Sequence, residues 1–143
     1  MQQLGYGKDG SVFATSVPTA VKVFFRRDVY ARELACYQRL AEHEVEEIRG
    51  HAVPRLLGWD DELFVVEMEI VSRPYLLDFA DAHLDSAPDF PEEVLEQWHA
   101  DKAEEFGERW DDVQRVLAIL RGHYGIHLLD VNPGNITFAD EDA

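Results

Sequence analysis

The sequence predicts an α+β domain, with a β-rich first half over residues 1–70 and a helical second half over residues 71–143. Three observations predict it. Runs rich in β-branched and aromatic residues, at 19–25 and 63–71, dominate the first half and read as strands. A single stretch among them, from Asp28 to about His43, carries its apolar residues at helical spacing. After Pro91 the spacing stays helical to about Tyr124. With 143 residues, 46% of them apolar, the chain is large enough for one domain with a real core.

The totals exclude several classes of function. Thirteen basic residues face 29 acidic ones, a net charge of −16, which disfavours general binding to nucleic-acid phosphates or anionic membranes. The single cysteine, Cys36, allows no internal disulfide and fits a reducing compartment, so the expected location is cytoplasmic. No amino-terminal apolar run follows a basic patch, and none approaches membrane-spanning length. There is no internal repeat.

The first stretch with chemistry holds Gly5, Gly7, Gly10 and Val12. Glycines at these positions let a tight hairpin bring its main-chain N–H groups close to a phosphate chain, where side chains would intrude. Val12 would then roof an adenine or ribose. The dinucleotide version of this pattern needs a strand before it and a helix after it. Only four residues precede Gly5, and strand and turn residues follow, so a strand–loop–strand phosphate cover fits better.

In the run 19–25, strand alternation puts Lys22 on the face of Ala20 and Phe24. A lysine on an apolar face is costly unless it meets an anion or snorkels from an edge strand. In the helix from Asp28, which can cap its start, Leu34, Tyr37, Leu40 and Ala41 form the apolar stripe. Glu33 lies beside that stripe, at i−4 from Tyr37 and i−7 from Leu40. It is either Lys22's partner or an ordinary surface acid.

Residues 42–49 read as a solvated helix end and loop. Residues 54–59 and 63–71 read as two antiparallel strands joined by the acidic turn 60–62. Leu76, Leu77, Phe79 and Ala80 begin a short helix that breaks near Pro88. Pro91 with Glu92 and Glu93 starts the next, with Val94, Leu95 and Trp98 on its buried side. Trp110, Val113, Val116, Leu117 and Leu120 give a clean apolar face that ends near Gly122 and Gly125. Gly107 either separates two helices or sits within one. The tryptophans belong to the core rather than to a ligand platform.

Residues 124–136 then hold Asp130 and Asn135 five apart around Pro133 and Gly134, between two apolar runs. Such a loop can aim a carboxylate and an amide into one space, although Asn-Pro-Gly also makes an ordinary turn.

Taken in order, these motifs resemble the protein kinase-like superfamily over nearly the whole chain. The Asp-x-x-Pro-Gly-Asn form is similar to the loop of aminoglycoside phosphotransferases and other atypical kinases. The resemblance implies an N-terminal antiparallel sheet lobe with one helix (1–70) and a reduced helical lobe ending just after the catalytic loop (71–143), together one truncated kinase-like domain. It implies ATP and magnesium as cofactors. Lys22, paired with Glu33, would grip the α- and β-phosphates, and Gly5, Gly7 and Gly10 would cover them. Main-chain groups at Glu67, Met68 and Glu69 would form the adenine-binding hinge. Asp130 would face the acceptor hydroxyl, and Asn135 would hold magnesium.

The chain also departs from the family. The metal-binding Asp of the Asp-Phe-Gly motif would follow another strand pair, whereas the sequence given stops eight residues past Asn135. Asp140 and Asp142 are poor substitutes, and no activation segment follows. Leu128 and Leu129 stand at the His and Arg positions before the catalytic Asp, with His127 one place off, and Asn132 replaces a Lys. Two functions are therefore expected. One is a minimal ATP-binding phosphotransferase, weak or dependent on a second copy or a protein partner that completes the site. The other is a pseudokinase that acts as an interaction or nucleotide-sensing module. The sequence names no acceptor, and an unrelated α+β domain is the third reading.

Overall fold

The computed structural model describes residues 2–6, 10–14, 19–72, 74–76, 79 and 82–138. In chain order its elements are β1 (Gln2–Tyr6), β2 (Gly10–Ala14), β3 (Thr19–Phe24), α1 (Arg27–Glu42), β4 (Glu47–Ile48), β5 (His51–Ala52), β6 (Leu56–Asp60), β7 (Val65–Glu69), β8 (His83–Leu84), α2 (Glu92–Phe106), a 3-10 turn (Gly107–Arg109), α3 (Trp110–Tyr124) and β9 (Ile126–His127). Five strands make one antiparallel sheet in the order β1-β2-β3-β7-β6. The molecule is α+β, as its sequence predicts.

Alternation in β3 sorts its residues from Ala20 onward, Thr19 before it being buried as well. Ala20, Lys22 and Phe24 are buried, while Val21 and Val23 on the opposite face are half-buried. Helix α1 covers the buried face with Val29, Tyr30, Leu34, Tyr37 and Leu40, at the three- and four-residue spacing of one helical stripe. Its start differs from expectation. Arg26, not Asp28, occupies the cap position, and no side chain caps it. Asp28 sits in the first turn instead, paired with Arg26 at 2.7 Å, where its charge still favours the positive end of the helix. Ala41 is exposed.

Residues 42–49 are not simply loop. β4 and β5 form a small hairpin whose turn residues, Arg49 and Gly50, both have positive φ (51° and 84°), the conformation two-residue hairpins favour. Between β6 and β7 the Asp60 carboxylate accepts from the N–H groups of Glu62 (2.9 Å) and Leu63 (3.1 Å), which shapes the expected acidic turn. Trp59 lies on the edge strand β6 and is half-exposed, so it is not a core residue.

The short helix expected from Leu76 does not form over the described residues. The Leu76 N–H donates to the Ala52 carbonyl and the Tyr75 N–H to the Thr137 hydroxyl, both 2.9 Å, so these groups serve distant segments rather than a helical turn. Leu77 and Ala80 lie outside the described residues; Phe79 is fully buried.

Helix α2 starts directly after Pro91, as expected, yet only Phe106 is buried along it. Val94 and Leu95 are 49% and 43% exposed, which corrects their assignment to a buried side. Helical spacing says which residues share a face; it does not say that anything covers the face. Gly107 separates the helices. In α3, Trp110, Val113, Val116 and Leu120 are buried, Leu117 partly, and Gly125 closes the helix in the left-handed conformation (φ 66°). Among the described residues, no helix is long and apolar enough to cross a membrane.

Candidate functional site

The site begins with one buried ion pair. Lys22 Nζ lies 3.0 Å from Glu33 Oε1 and 3.1 Å from Oε2, with the side chains 10% and 1% exposed. Two sequence features bring them together. Alternation in β3 aims Lys22 at the helix side of the sheet, and the connection to α1 is only Phe25 and Arg26. Glu33 then falls on the stripe of Tyr37 and Leu40, facing the core rather than solvent. The Phe24 ring, 4.9 Å from Lys22 Nζ, adds a second favourable contact for the ammonium. Burial pushes the neighbouring Cys36 thiol up to about 12, and the Glu33 carboxylate adds to the rise. The thiol is inert at neutral pH.

Cross-strand pairing sets what surrounds the ammonium. Val12 of β2 and Val66 of β7 stand directly across from Lys22, and Met68 stands across from Ala20. Val12, Ala20, Lys22, Val66 and Met68 therefore share one face of the sheet.

The glycines are placed differently from one another. Gly5 lies in β1, opposite Val12. Gly7 lies outside the described residues. Gly10 opens β2, opposite Phe24, and a Cβ there would sit 2.2 Å from the Val23 carbonyl oxygen. Close approach of two strands therefore accounts for Gly10 without any ligand.

Glu67, Met68 and Glu69 are not at the edge of the ladder. All three pair with β3, and Glu67 and Met68 also pair with β6. The Glu69 N–H donates to the Arg55 carbonyl (3.0 Å), and the Glu67 carboxylate accepts from the Thr19 hydroxyl (2.8 Å). The chain leaves the sheet at Ile70, so main chain without a strand partner starts there rather than at Glu67.

At the other end of the chain, residues 128–135 fold back on Asp130. The Asn132 amide donates to its Oδ1 (3.2 Å), and the Asn135 amide donates to its main-chain oxygen (3.3 Å) and Oδ2 (3.4 Å). The Asn132 carbonyl accepts from the N–H groups of Asn135 (3.0 Å) and Ile136 (3.1 Å), a tight turn around exposed Pro133 and Gly134. Leu128, Val131 and Ile136 anchor the loop in the core. Its acid and amide thus meet, which spacing alone left open against an ordinary turn.

Two ties hold this loop, and neither is legible in the sequence. Downstream, Ile136 bridges to Leu76, and the Thr137 N–H donates to the Tyr75 carbonyl (2.9 Å). Upstream, Arg39 of α1 reaches Asp85 (2.7 and 3.1 Å) and the Tyr124 carbonyl (3.2 Å), beside the β8–β9 pair. The helix that carries Glu33 is therefore bonded to the end of α3, just before the strand that leads into Asp130. His127 lies in that strand, paired with His83.

No family model matches the chain, and none of the curated proteins does. Among solved structures it is similar to the streptomycin-ATP-APH(2")-IIa ternary complex. Identity is 16% and the TM-score 0.44, with 93% of this chain and 36% of that chain covered. This chain thus spans about a third of the length of that protein. The streptomycin and ATP of that complex are properties of that protein.

The residues present suit a polyphosphate better than a protein-held metal. A buried ammonium that a carboxylate holds in place has the charge to meet phosphate oxygens. Among the described residues, no group of three or more His, Cys, Asp or Glu could hold a metal ion. What the loop offers a magnesium ion is the Asn135 amide oxygen, since its nitrogen is the atom that donates to Asp130; one such oxygen fits an ion held mainly by phosphates and water.

Proposed function

We propose that the chain is a minimal kinase-like domain, with residues 1–70 as its sheet lobe and 71–143 as a reduced helical lobe, that binds ATP and transfers its phosphoryl group weakly or with a partner's help. One observation carries this reading: Lys22 on the third strand and Glu33 on the following helix form a buried ion pair at 3.0 Å. The same strand-to-helix pair positions the nucleotide in kinases.

In this reading Lys22 neutralises the α- and β-phosphates while Glu33 fixes its ammonium. The β1–β2 hairpin, with Gly5, Gly7 and Gly10, lies over the phosphates, and Val12 packs on the adenine or ribose. The hinge contacts assigned to Glu67, Met68 and Glu69 come instead from the main chain that follows β7, starting at Ile70. Asp130 accepts the proton of an acceptor hydroxyl, held in orientation by Asn132 and Asn135. Magnesium, held by Asn135, would neutralise charge on the phosphates. Phosphoryl transfer asks mainly for positioning and charge neutralisation, and these groups supply both in part. A homo-oligomer or protein partner would add the missing metal carboxylate.

The test is calorimetric titration of ATP with and without magnesium, followed by phosphoryl transfer to water at rising protein concentration. Binding that magnesium strengthens and Asn135→Ala weakens, with turnover that rises with concentration, supports the proposal. Absence of ATP binding in both conditions ends it.

A second reading is favoured by the loop itself. Residues 124–136 carry one carboxylate, Asp130, and two amides already occupy it. A pseudokinase that binds nucleotide without chemistry would show ATP binding and no turnover at any protein concentration.

A further inference from the structure

A cavity of about 400 Å³ lies between α2, α3 and the chain that runs from β9 into the loop. Its volume falls in the range of small-molecule sites. The apolar wall comes mainly from Phe90, Val94, Leu95 and Trp98, the first three of which are 39–49% exposed. Exposing so many large apolar groups on one helix start is costly unless something covers them.

The polar part of the lining is one-sided. His99, Arg121 and His127 contribute to it, and among the described residues no Asp or Glu does, although 29 of the 143 residues are acidic. Arg121 forms no ion pair among the described residues, and neither does Arg27, which lies over the Phe64 ring instead; Arg26, Arg39, Arg49, Arg55 and Arg115 all reach carboxylates. In so acidic a chain, an arginine left without a carboxylate beside an apolar cavity is a site for an anion brought from outside.

We propose that this cavity binds a small amphipathic carboxylate, its chain or ring against Phe90, Val94, Leu95 and Trp98 and its carboxylate on Arg121. Leu128 and Leu129 form part of the wall, and Asp130 follows them, so an occupant would lie against the start of the loop. The site does not depend on the nucleotide reading.

Octanoate, octan-1-ol and octylammonium are the probes, titrated by calorimetry and by tryptophan fluorescence in about 150 mM salt, which screens the overall negative charge. Saturable 1:1 binding of octanoate is expected, with octan-1-ol at least about fivefold weaker and octylammonium without saturation. Arg121→Gln, on an exposed helix position, should weaken octanoate about fivefold and leave octan-1-ol unchanged. Val94→Glu should abolish both. The paired Lys22→Met, Glu33→Leu variant should bind octanoate as the parent does, so failure at the nucleotide site leaves this result intact. No saturable octanoate binding would overturn the proposal, as would equal binding of the alcohol or tighter binding of the amine. A dimer that Val94→Glu dissociates and octanoate does not would also overturn it, because a second copy would then be the occupant.

Discussion

Lys22 and Glu33 show how much one residue depends on another. Each is buried, and neither could be buried alone without a large desolvation cost. Lys22→Ala takes the ammonium away from a buried carboxylate, and should lower unfolding free energy by roughly 3–5 kcal/mol in urea titrations. Replacing both together, as Lys22→Met with Glu33→Leu, should recover most of that loss, since packed apolar side chains tolerate the same space. A double variant no more stable than Lys22→Ala would mean that the two residues are not energetically coupled. This pair is legible in the sequence because both rules that place it are local. Two-residue alternation aims the lysine, and helical spacing aims the glutamate. Gly10 is misleading for a related reason: the glycine pattern suggests a phosphate, while the Val23 carbonyl across the sheet already forbids a side chain there.

At the scale of an element, α3 and its ending carry the most information. Gly125 has φ 66°, and a Cβ on it would lie 2.6 Å from Asp85 Oδ1 and 3.0 Å from Arg39 Nη1. Gly125→Ala should therefore cost about 1–2 kcal/mol from the backbone alone and disturb the Arg39–Asp85 pair as well. Gly122, one turn earlier in the same helix, has nothing within 4 Å of such a Cβ. Gly122→Ala should raise stability by about 0.5–1 kcal/mol, because it restrains the unfolded chain without touching the folded one. Thermal unfolding of the two single variants should move in opposite directions; shifts of the same sign would contradict this account of the helix end. The helix stop at Gly125 is legible in the sequence, but its role as the seat of a tie to α1 is not, because Arg39 and Asp85 are 46 residues apart. The same limit applies to α2. Val94, Leu95 and Trp98 share a face by spacing, and only the third dimension reveals that the first two stay exposed. The hairpin of β4 and β5 could be found from Arg49-Gly50, since glycine supplies one of the two positive φ angles that such a turn needs.

Over the whole molecule, the sheet half and the helical half are joined by a few specific contacts, and His51 is one of them. It is buried against the Phe138 ring, 4.9 Å between centroids, and its Nδ1 has no hydrogen-bond partner. Burial lowers its pKa below the ordinary 6.5. The unfolded chain therefore takes up this proton first as pH falls, so the stability held at neutral pH should decline below about pH 6.5. His51→Leu should flatten that part of the profile of stability against pH. An unchanged slope in the variant would assign the loss to other groups.

The order of the whole chain is legible as strands, one helix, strands and helices, because periodicity is local. The joins between the halves, through Tyr75 with Thr137 and through Arg39 with Asp85, are not, because no spacing rule relates residues so far apart. The nucleotide reading requires those joins to bring the loop of Asp130 and Asn135 to the same ligand as Lys22. The most direct measurement is the unfolding midpoint of the parent chain and of the paired Lys22→Met, Glu33→Leu variant across ATP concentrations with magnesium. ATP at a hundredfold excess over its Kd should stabilise the parent by about 2.7 kcal/mol and leave the folded, cation-free variant unmoved. A parent that ATP does not stabilise, or a variant that it stabilises equally, would contradict the account.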